Sequence, residues 1–504
     1  MKRTLTAAAL ACICLTFTAA RAAEDTIVVS RPSFTVFHEF GSIQHGTDFE
    51  ERSFNDYFLQ RSGVWMNLKA VRNERLTLNA TIGGIYWNPT FNENSSSENV
   101  LRYFAASAPR MSGTYVFGEV SSPSLTVEAG IFPYKYNDYT HNLGEYMFRT
   151  TAYPTQVFNG GLTWVDVNRA SVTGLRFSQQ FGDIFSHDLM VTFETDQLPI
   201  YDLNLTYMAK AKIGKTLKIG GGVQLARVIP ISDELTNPDI LYNHYFKFND
   251  TTYIDNADYY TNRLKNKPGN DSLQFERGNT LTTQLSNMVQ GGMSFQDALD
   301  SLERSEGVAA GSSSYDHYNA TSSKAVASFS FDPKPLFNDG GILGPNDLVV
   351  YGEAALLGIK NYPILYENRL ERTVAMLGFN LPTFRQLEVL AFEVEWFGSK
   401  QPNSSMASQQ QAGKTTESYL QPVPQPSIFS GQLGTHGYNP EDWTKDNIKW
   451  SAFARRQLVK GLNLDVQVAS DNARGWVYPS GRRYWAYFRD PSDWYWMVKL
   501  SASI

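Results

Sequence analysis

Cysteine is almost missing from this 504-residue chain: Cys12 and Cys14 are the two it has. Both fall in what reads as an export signal, so the mature chain is expected to hold no disulfide and no reactive thiol. Long apolar runs are missing as well. No stretch reaches the roughly twenty consecutive apolar residues that a membrane helix needs, which argues against a helical membrane protein. Basic tracts are absent and the formal net charge is −6 at pH 7, so nucleic acid is excluded as a partner. The seven histidines (His38, His45, His141, His187, His244, His317 and His436) are scattered, with no pair at metal-ligand spacing. Neither a Gly-x-Ser-x-Gly elbow, a phosphate loop nor a dinucleotide fingerprint occurs. The sequence therefore predicts no catalytic residue, no metal and no cofactor.

What is present begins with the signal. Lys2 and Arg3 form a charged end, residues 7–18 a short apolar run, and Ala20-Arg21-Ala22 a small-x-small cleavage site. Residues 1–22 are expected to be removed on export, leaving 23–504 as a single domain. A lipoprotein reading on Cys12 would leave an apolar segment of about six residues, too short for a signal core.

From Val64 onward one unit recurs: about ten residues, apolar at every second position, closed alternately by a tight turn and a long polar loop. In residues 201–213, Tyr201, Leu203, Leu205, Tyr207, Ala209, Ala211 and Ile213 share one face, with Asn204, Thr206, Met208, Lys210 and Lys212 on the other. Along 217–225, Leu217, Ile219, Val223 and Leu225 oppose Lys218 and Gln224. The last segment sets Trp494, Trp496, Val498, Leu500, Ala502 and Ile504 against Tyr495, Met497, Lys499, Ser501 and Ser503. One face suits lipid and the other water, the expectation for an all-β, transmembrane antiparallel barrel. Ten Trp and twenty-seven Tyr could supply its interfacial girdles.

Tight turns are expected at Asn73-Glu74, Ser121-Ser122-Pro123, Gly214-Lys215-Thr216, 381–386 and Val459-Lys460-Gly461, with somewhat longer ones at 182–186 and 332–346. The other connections, 41–62, 87–113, 133–169, 196–200, 230–321, 360–370, 398–446 and 471–493, are long or polar. Threading both sets gives about sixteen strands, the first near residues 34–40, with both termini on the short-turn rim. Residues 160–169 could form another strand, but that would reverse every later direction, so they are placed in the third loop. Within 230–321, residues 294–302 read as a helix capped by Ser294 and Asp297. Residues 307–314 then read as a flexible linker, and 401–427, rich in Gln, Ser and Pro, as a polar loop segment.

A barrel of sixteen strands is too wide for side chains to fill, so an aqueous channel follows, narrowed where a loop folds inward. The third loop, 133–169, is the candidate. Asn142 can cap a helical turn, Glu145 and Arg149 lie four apart on one face of it, and Lys135 and Asp138 add charge nearby. These four residues are expected to set a transverse field at a constriction. The alternative has the loop lying over the mouth, its charges merely solvated. Alternation puts Lys69, Glu128, Arg176, Glu194, Lys210, Lys212, Lys218, Glu393, Glu395, Lys449, Arg455, Asp465 and Lys499 on the lumen face. Mixed signs predict weak ion selectivity and suit mutual pairing along the wall.

In its signal, strand number, loop rhythm and long third loop the chain resembles the general porins of Gram-negative outer membranes. The likeness is one of pattern, and the last residue, Ile504, stands where porins usually carry an aromatic. It implies an outer-membrane location, contact with lipid, passive diffusion of small hydrophilic solutes and assembly as a homotrimer. Trp476, Tyr478, Tyr484 and Trp485 in the last loop offer a second function, stacking of sugar rings in a carbohydrate-binding or uptake barrel, or a surface interaction. Their simpler role is an outer aromatic girdle with loop packing. A barrel hydrolase would need its catalytic set assembled from separate strands, and such barrels are generally narrower.

Overall fold

Alternation of apolar and polar residues is realised as alternation between outside and inside. The structure, a computed structural model, describes residues 27–47, 53–54, 57–89, 103–148, 170–193, 203–229, 244–249, 251–254, 270–317, 322–337, 341–359, 368–398, 447–470 and 492–504. Sixteen antiparallel strands form one closed sheet. In chain order they are β1 (Ser33–Thr47), β2 (Tyr57–Arg72), β3 (Leu76–Pro89), β4 (Tyr103–Glu119), β5 (Ser122–Tyr134) and β6 (Ala170–Phe181). Next come β7 (Phe185–Phe193), β8 (Leu203–Ile213), β9 (Leu217–Ile229), β10 (Ser322–Phe331) and β11 (Val350–Leu356). The last five are β12 (Thr373–Asn380), β13 (Val389–Phe397), β14 (Ile448–Val459), β15 (Leu462–Ala469) and β16 (Trp494–Ser503). Each strand pairs with the next, and β16 pairs with β1 to close the ring. Closure leaves no unpaired edge, the condition for strands to cross lipid.

Strand β13 shows the pattern most cleanly. Val389, Ala391, Glu393, Glu395 and Phe397 are buried, whereas Phe392, Val394 and Trp396 are exposed on the outer face. On β9, Ile219, Val223 and Leu225 are likewise exposed while Gln224 is buried. An exposed apolar surface all round a closed sheet is stable against lipid rather than water.

The first and last barrel strands meet at their ends. Phe34 and Ile504 exchange two backbone hydrogen bonds of 2.8 Å, so the C-terminal isoleucine is anchored on the short-turn rim by its backbone, without an aromatic. A short strand, Ile27–Val29, continues beside β2 below that point. Tight turns fall close to their expected places: Asn73 and Glu74 adopt φ of 51° and 56°, and Gly214 turns the β8–β9 hairpin at φ 63°. Two turns are shorter than expected. Ser122 and Pro123 already belong to β5, and Val459 belongs to β14, leaving Lys460 and Gly461 as the connection.

The first long connections are also shorter than expected, because β1 to β4 run 15, 16, 14 and 17 residues. Crossing the apolar core takes about 9–11 residues, so these strands continue past the lipid. Beyond it the outer face no longer needs to be apolar, and the sequence signal fades while the ladder persists.

The fifth long connection carries a folded unit of its own. Three strands, Thr251–Ile254, His244–Phe248 and Ser314–His317, form a small antiparallel sheet with His244–Phe248 in the centre. Two helices accompany it, α1 (Asn270–Gln290) and α2 (Phe295–Glu306). Among the described residues no helix is long and apolar enough to cross a membrane. The Ser294 cap of α2 is present: its hydroxyl accepts from Asp297 N, and Gly307 ends the helix at φ 68°. Residues 307–314 are not a free linker. The Glu303 carboxylate accepts from the backbone N–H of Gly311 at 3.0 Å and of Ser313 at 2.5 Å, fixing the turn to α2. Residues 1–26, 149–169 and 401–427 lie outside the described residues. So do Glu194 and the last loop with Trp476, Tyr478, Tyr484 and Trp485, the candidate sugar platform.

Candidate functional site

After β5 the chain turns into the barrel rather than over its mouth. Residues 135–148 form the first part of the third loop, and 141–146 have no ladder partner for their backbone N–H groups. Buried donors need acceptors, and the wall supplies them. Glu393 on β13 accepts from His141 N at 2.6 Å, Asn142 N at 3.0 Å and Leu143 N at 2.9 Å. Glu353 on β11 accepts from Glu145 N at 3.0 Å and Tyr146 N at 2.9 Å, and also from the Tyr136 hydroxyl. Glu395 accepts from the Tyr146 hydroxyl at 2.7 Å. From β10, Lys324 donates to the carbonyls of Tyr146 and Met147, both at 3.1 Å. Carboxylates at these positions therefore recognise loop backbone, each bond being charge-assisted.

Apolar packing completes the attachment. Leu143, Met147 and Phe148 join Phe132, Met190, Met208, Val326 and Met376 in one buried cluster inside the barrel. The loop thus covers the wall from β5 round to β13. A 3-10 turn, Tyr146–Phe148, stands where a helical turn begun at Asn142 was expected. Gly144 and Glu145 adopt φ of 84° and 59°, which breaks any helix before that point.

The four expected constriction residues separate into different roles. Asp138 reaches toward the wall at β8 and β9, 3.9 Å from Lys210 Nζ and 3.8 Å from Lys218 Nζ. Lys135 turns back on the loop and donates to the Thr140 carbonyl at 2.6 Å. Glu145 accepts from Asn137 N at 2.6 Å and Tyr136 N at 3.4 Å, so it staples the loop to itself and does not stand free in the passage. Burial, with the neighbouring Glu353 carboxylate, pushes its pKa up to about 8. Arg149 lies outside the described residues. His141 stacks on Phe453 at 4.5 Å, and burial, with Lys135 and Arg455 nearby, pulls its pKa down to about 3.

The rest of the described wall is charged and largely self-paired. Arg455, Asp465, Lys499, Glu39 and Arg61 are successive partners across β14, β15, β16, β1 and β2, an alternating row over the closing seam. Arg455 grips Asp465 at 2.6 and 2.8 Å, and Arg61 grips Glu39 at 2.8 and 3.1 Å. A second group joins Arg176 to Asp188 at 3.0 Å and to Glu128 at 3.7 Å. Lys499 lies 4.9 Å from the Phe37 ring centroid. Lys210, Lys212 and Lys218, on β8 and β9, line one recess with the loop residues Tyr136, Asn137 and Asp138. Glu393 and Glu395 face inward, but they hold the loop. Sequence reasoning missed Glu353, Lys324 and Tyr351; their strand parity places them inward, yet nothing in parity says that a loop docks there.

No family model matches this sequence, and no curated protein matches it either. Among solved structures it is similar to a triple mutant of the Rhodopseudomonas blastica porin, at 8% identity over 95% of this chain and 100% of that one, with a TM-score of 0.38. A further mutant of the same porin gives 8% identity, the same coverage and a TM-score of 0.39. A structure described as "Asymmetric conductivity of engineered proteins" gives 7% identity over 94% of this chain and all of that one, with a TM-score of 0.38.

Proposed function

We propose that residues 1–22 direct export and that the remainder is a channel in a bacterial outer membrane. It passes small hydrophilic solutes by diffusion and carries out no chemistry of its own. The observation that carries this reading is the third loop, held inside a closed barrel by wall carboxylates at Glu353 and Glu393. A loop bound to one side of the lumen narrows a passage without sealing it by design, since the opposite wall keeps charged rows suited to water. Signs alternate along Arg455, Asp465, Lys499, Glu39 and Arg61, three cations to two carboxylates, which favours only a weak ion preference.

Planar-bilayer recording of the purified protein tests the reading. Discrete steps with conductance proportional to bulk salt and a weak ion preference are expected. A silent bilayer, despite folded protein in it, would contradict the proposal.

A further inference from the structure

Below the third loop, three lysines crowd one patch of wall. Lys212 and Lys218 are direct partners across β8 and β9, and Lys210 shares a row with Ser186, Gly220 and Ser328. Like charges placed directly opposite destabilise a sheet, and little nearby relieves them. Asp138 approaches Lys210 and Lys218 only at 3.9 and 3.8 Å, beyond hydrogen-bond reach, with its side chain 59% exposed. Lys212 makes no ion pair among the described residues. Asp183 lines the same recess from the turn beneath, so the cluster keeps an excess of positive charge.

The recess is shaped as well as charged. It is a half-open hollow of about 210 Å³ between this wall and the loop, with Ser186, Ser328 and Ser330 among its lining. At its floor Gly220 leaves room for Ser328 Oγ, which a Cβ there would meet at 2.8 Å. Tyr139, stacked on Tyr351 at 5.9 Å, has Lys218 Nζ 5.8 Å from its ring centroid.

We infer that this recess binds a small, multiply charged oxyanion of the phosphate type, free or carried on a small solute, on the short-turn side of the constriction. Ammonium groups supply charge, the serine hydroxyls supply donors directed at oxyanion oxygens, and Asp138 acts as a tethered counter-charge that the ligand displaces. The inference deepens the channel reading and rests on it.

Inorganic phosphate is the probe. Added to a bilayer carrying chloride current, it should reduce the current saturably, whereas added chloride should not. In the Lys210→Gln/Lys212→Gln/Lys218→Gln variant the half-blocking concentration should rise at least about tenfold, the factor that loss of even one charge-assisted contact produces. Asp138→Asn should lower it severalfold. Gly220→Ala keeps every charge but crowds Ser328 Oγ at the floor, so it should weaken block severalfold. That variant separates a built site from a diffuse positive field. Folding of each variant is checked by heat-dependent gel mobility.

Equal block in wild type and the three-lysine variant, or no effect of Gly220→Ala, would overturn the site. If wild type passes no current, the channel reading fails instead. Radiolabelled phosphate binding to the folded barrel in detergent then decides the site: retention by wild type with loss in the three-lysine variant supports it, and no binding by wild type refutes it.

Discussion

Replacing Glu353 and Glu393 together by alanine should free the third loop from the wall and raise single-channel conductance about twofold or more. Five loop N–H groups, those of His141, Asn142, Leu143, Glu145 and Tyr146, end on these two carboxylates. Hydrogen bonds to a charged partner contribute about 1.5–3 kcal/mol each, and removing the acceptor strands several buried donors at once. Apolar contacts made by Leu143, Met147 and Phe148 cannot satisfy those donors. Since neither glutamate faces lipid, the barrel itself should still form. Tyr351→Phe, which removes one hydroxyl donor to Glu393 at 2.9 Å, serves as the mild comparison and should leave conductance nearly unchanged. Unaltered conductance in the double variant, with the barrel folded, would mean that the loop does not define the passage.

Between about pH 5 and 7 the docked loop should respond little to pH in the wild type, while single substitutions should uncover strong and opposite slopes. The pKa of His141 is lowered to about 3 in the docked state by burial and by Lys135 and Arg455. Its contribution is therefore present above the ordinary histidine range, near 6.5, and is lost as pH falls toward 3. At pH 5 the loss is roughly 2 kcal/mol by linkage. The pKa of Glu145 is raised to about 8 by burial and by Glu353. Its contribution is present below the ordinary carboxylate range and is lost as pH rises through about 8. The two slopes offset each other. Glu145→Gln should consequently make the channel fluctuate to higher conductance at pH 5 but not at pH 7. His141→Phe should do so at pH 7 more than at pH 5. Single-channel records at the two pH values check both, and pH-independent traces from both variants would dismiss the titration of the loop.

How far the sequence could be read depended on whether the physics was local. Alternation along β8, β9, β13 and β16 is imposed residue by residue by lipid on one side and water on the other, so strand number, closure and lumen-facing parity were legible. Strand extensions such as Tyr57–Phe58 were not, because beyond the bilayer no solvent contrast marks them. Helix α2 announced itself through Ser294 and Asp297. Helix α1 did not, since its buried Leu281 and Leu285 sit among Gly278, Thr280, Thr282 and Thr283, residues with little helical preference. At the candidate site, the inward course of the third loop was expected, but the work assigned to Glu145 was not. That residue serves loop backbone, and the charge that reaches the wall lysines is Asp138. Such a division depends on how the loop folds back on itself and on which wall residues the barrel brings to it, which no spacing along the chain encodes.

Swelling of proteoliposomes in neutral sugars of increasing size tests the central claim most directly, because uncharged solutes report the width of the passage and not its field. The wild-type protein should admit the smallest sugars quickly, with rates that fall steeply as size increases. The Glu353→Ala/Glu393→Ala variant should shift that fall toward larger sugars. No swelling even with the smallest sugar, or the same size dependence in both proteins, would contradict an open barrel narrowed by its third loop.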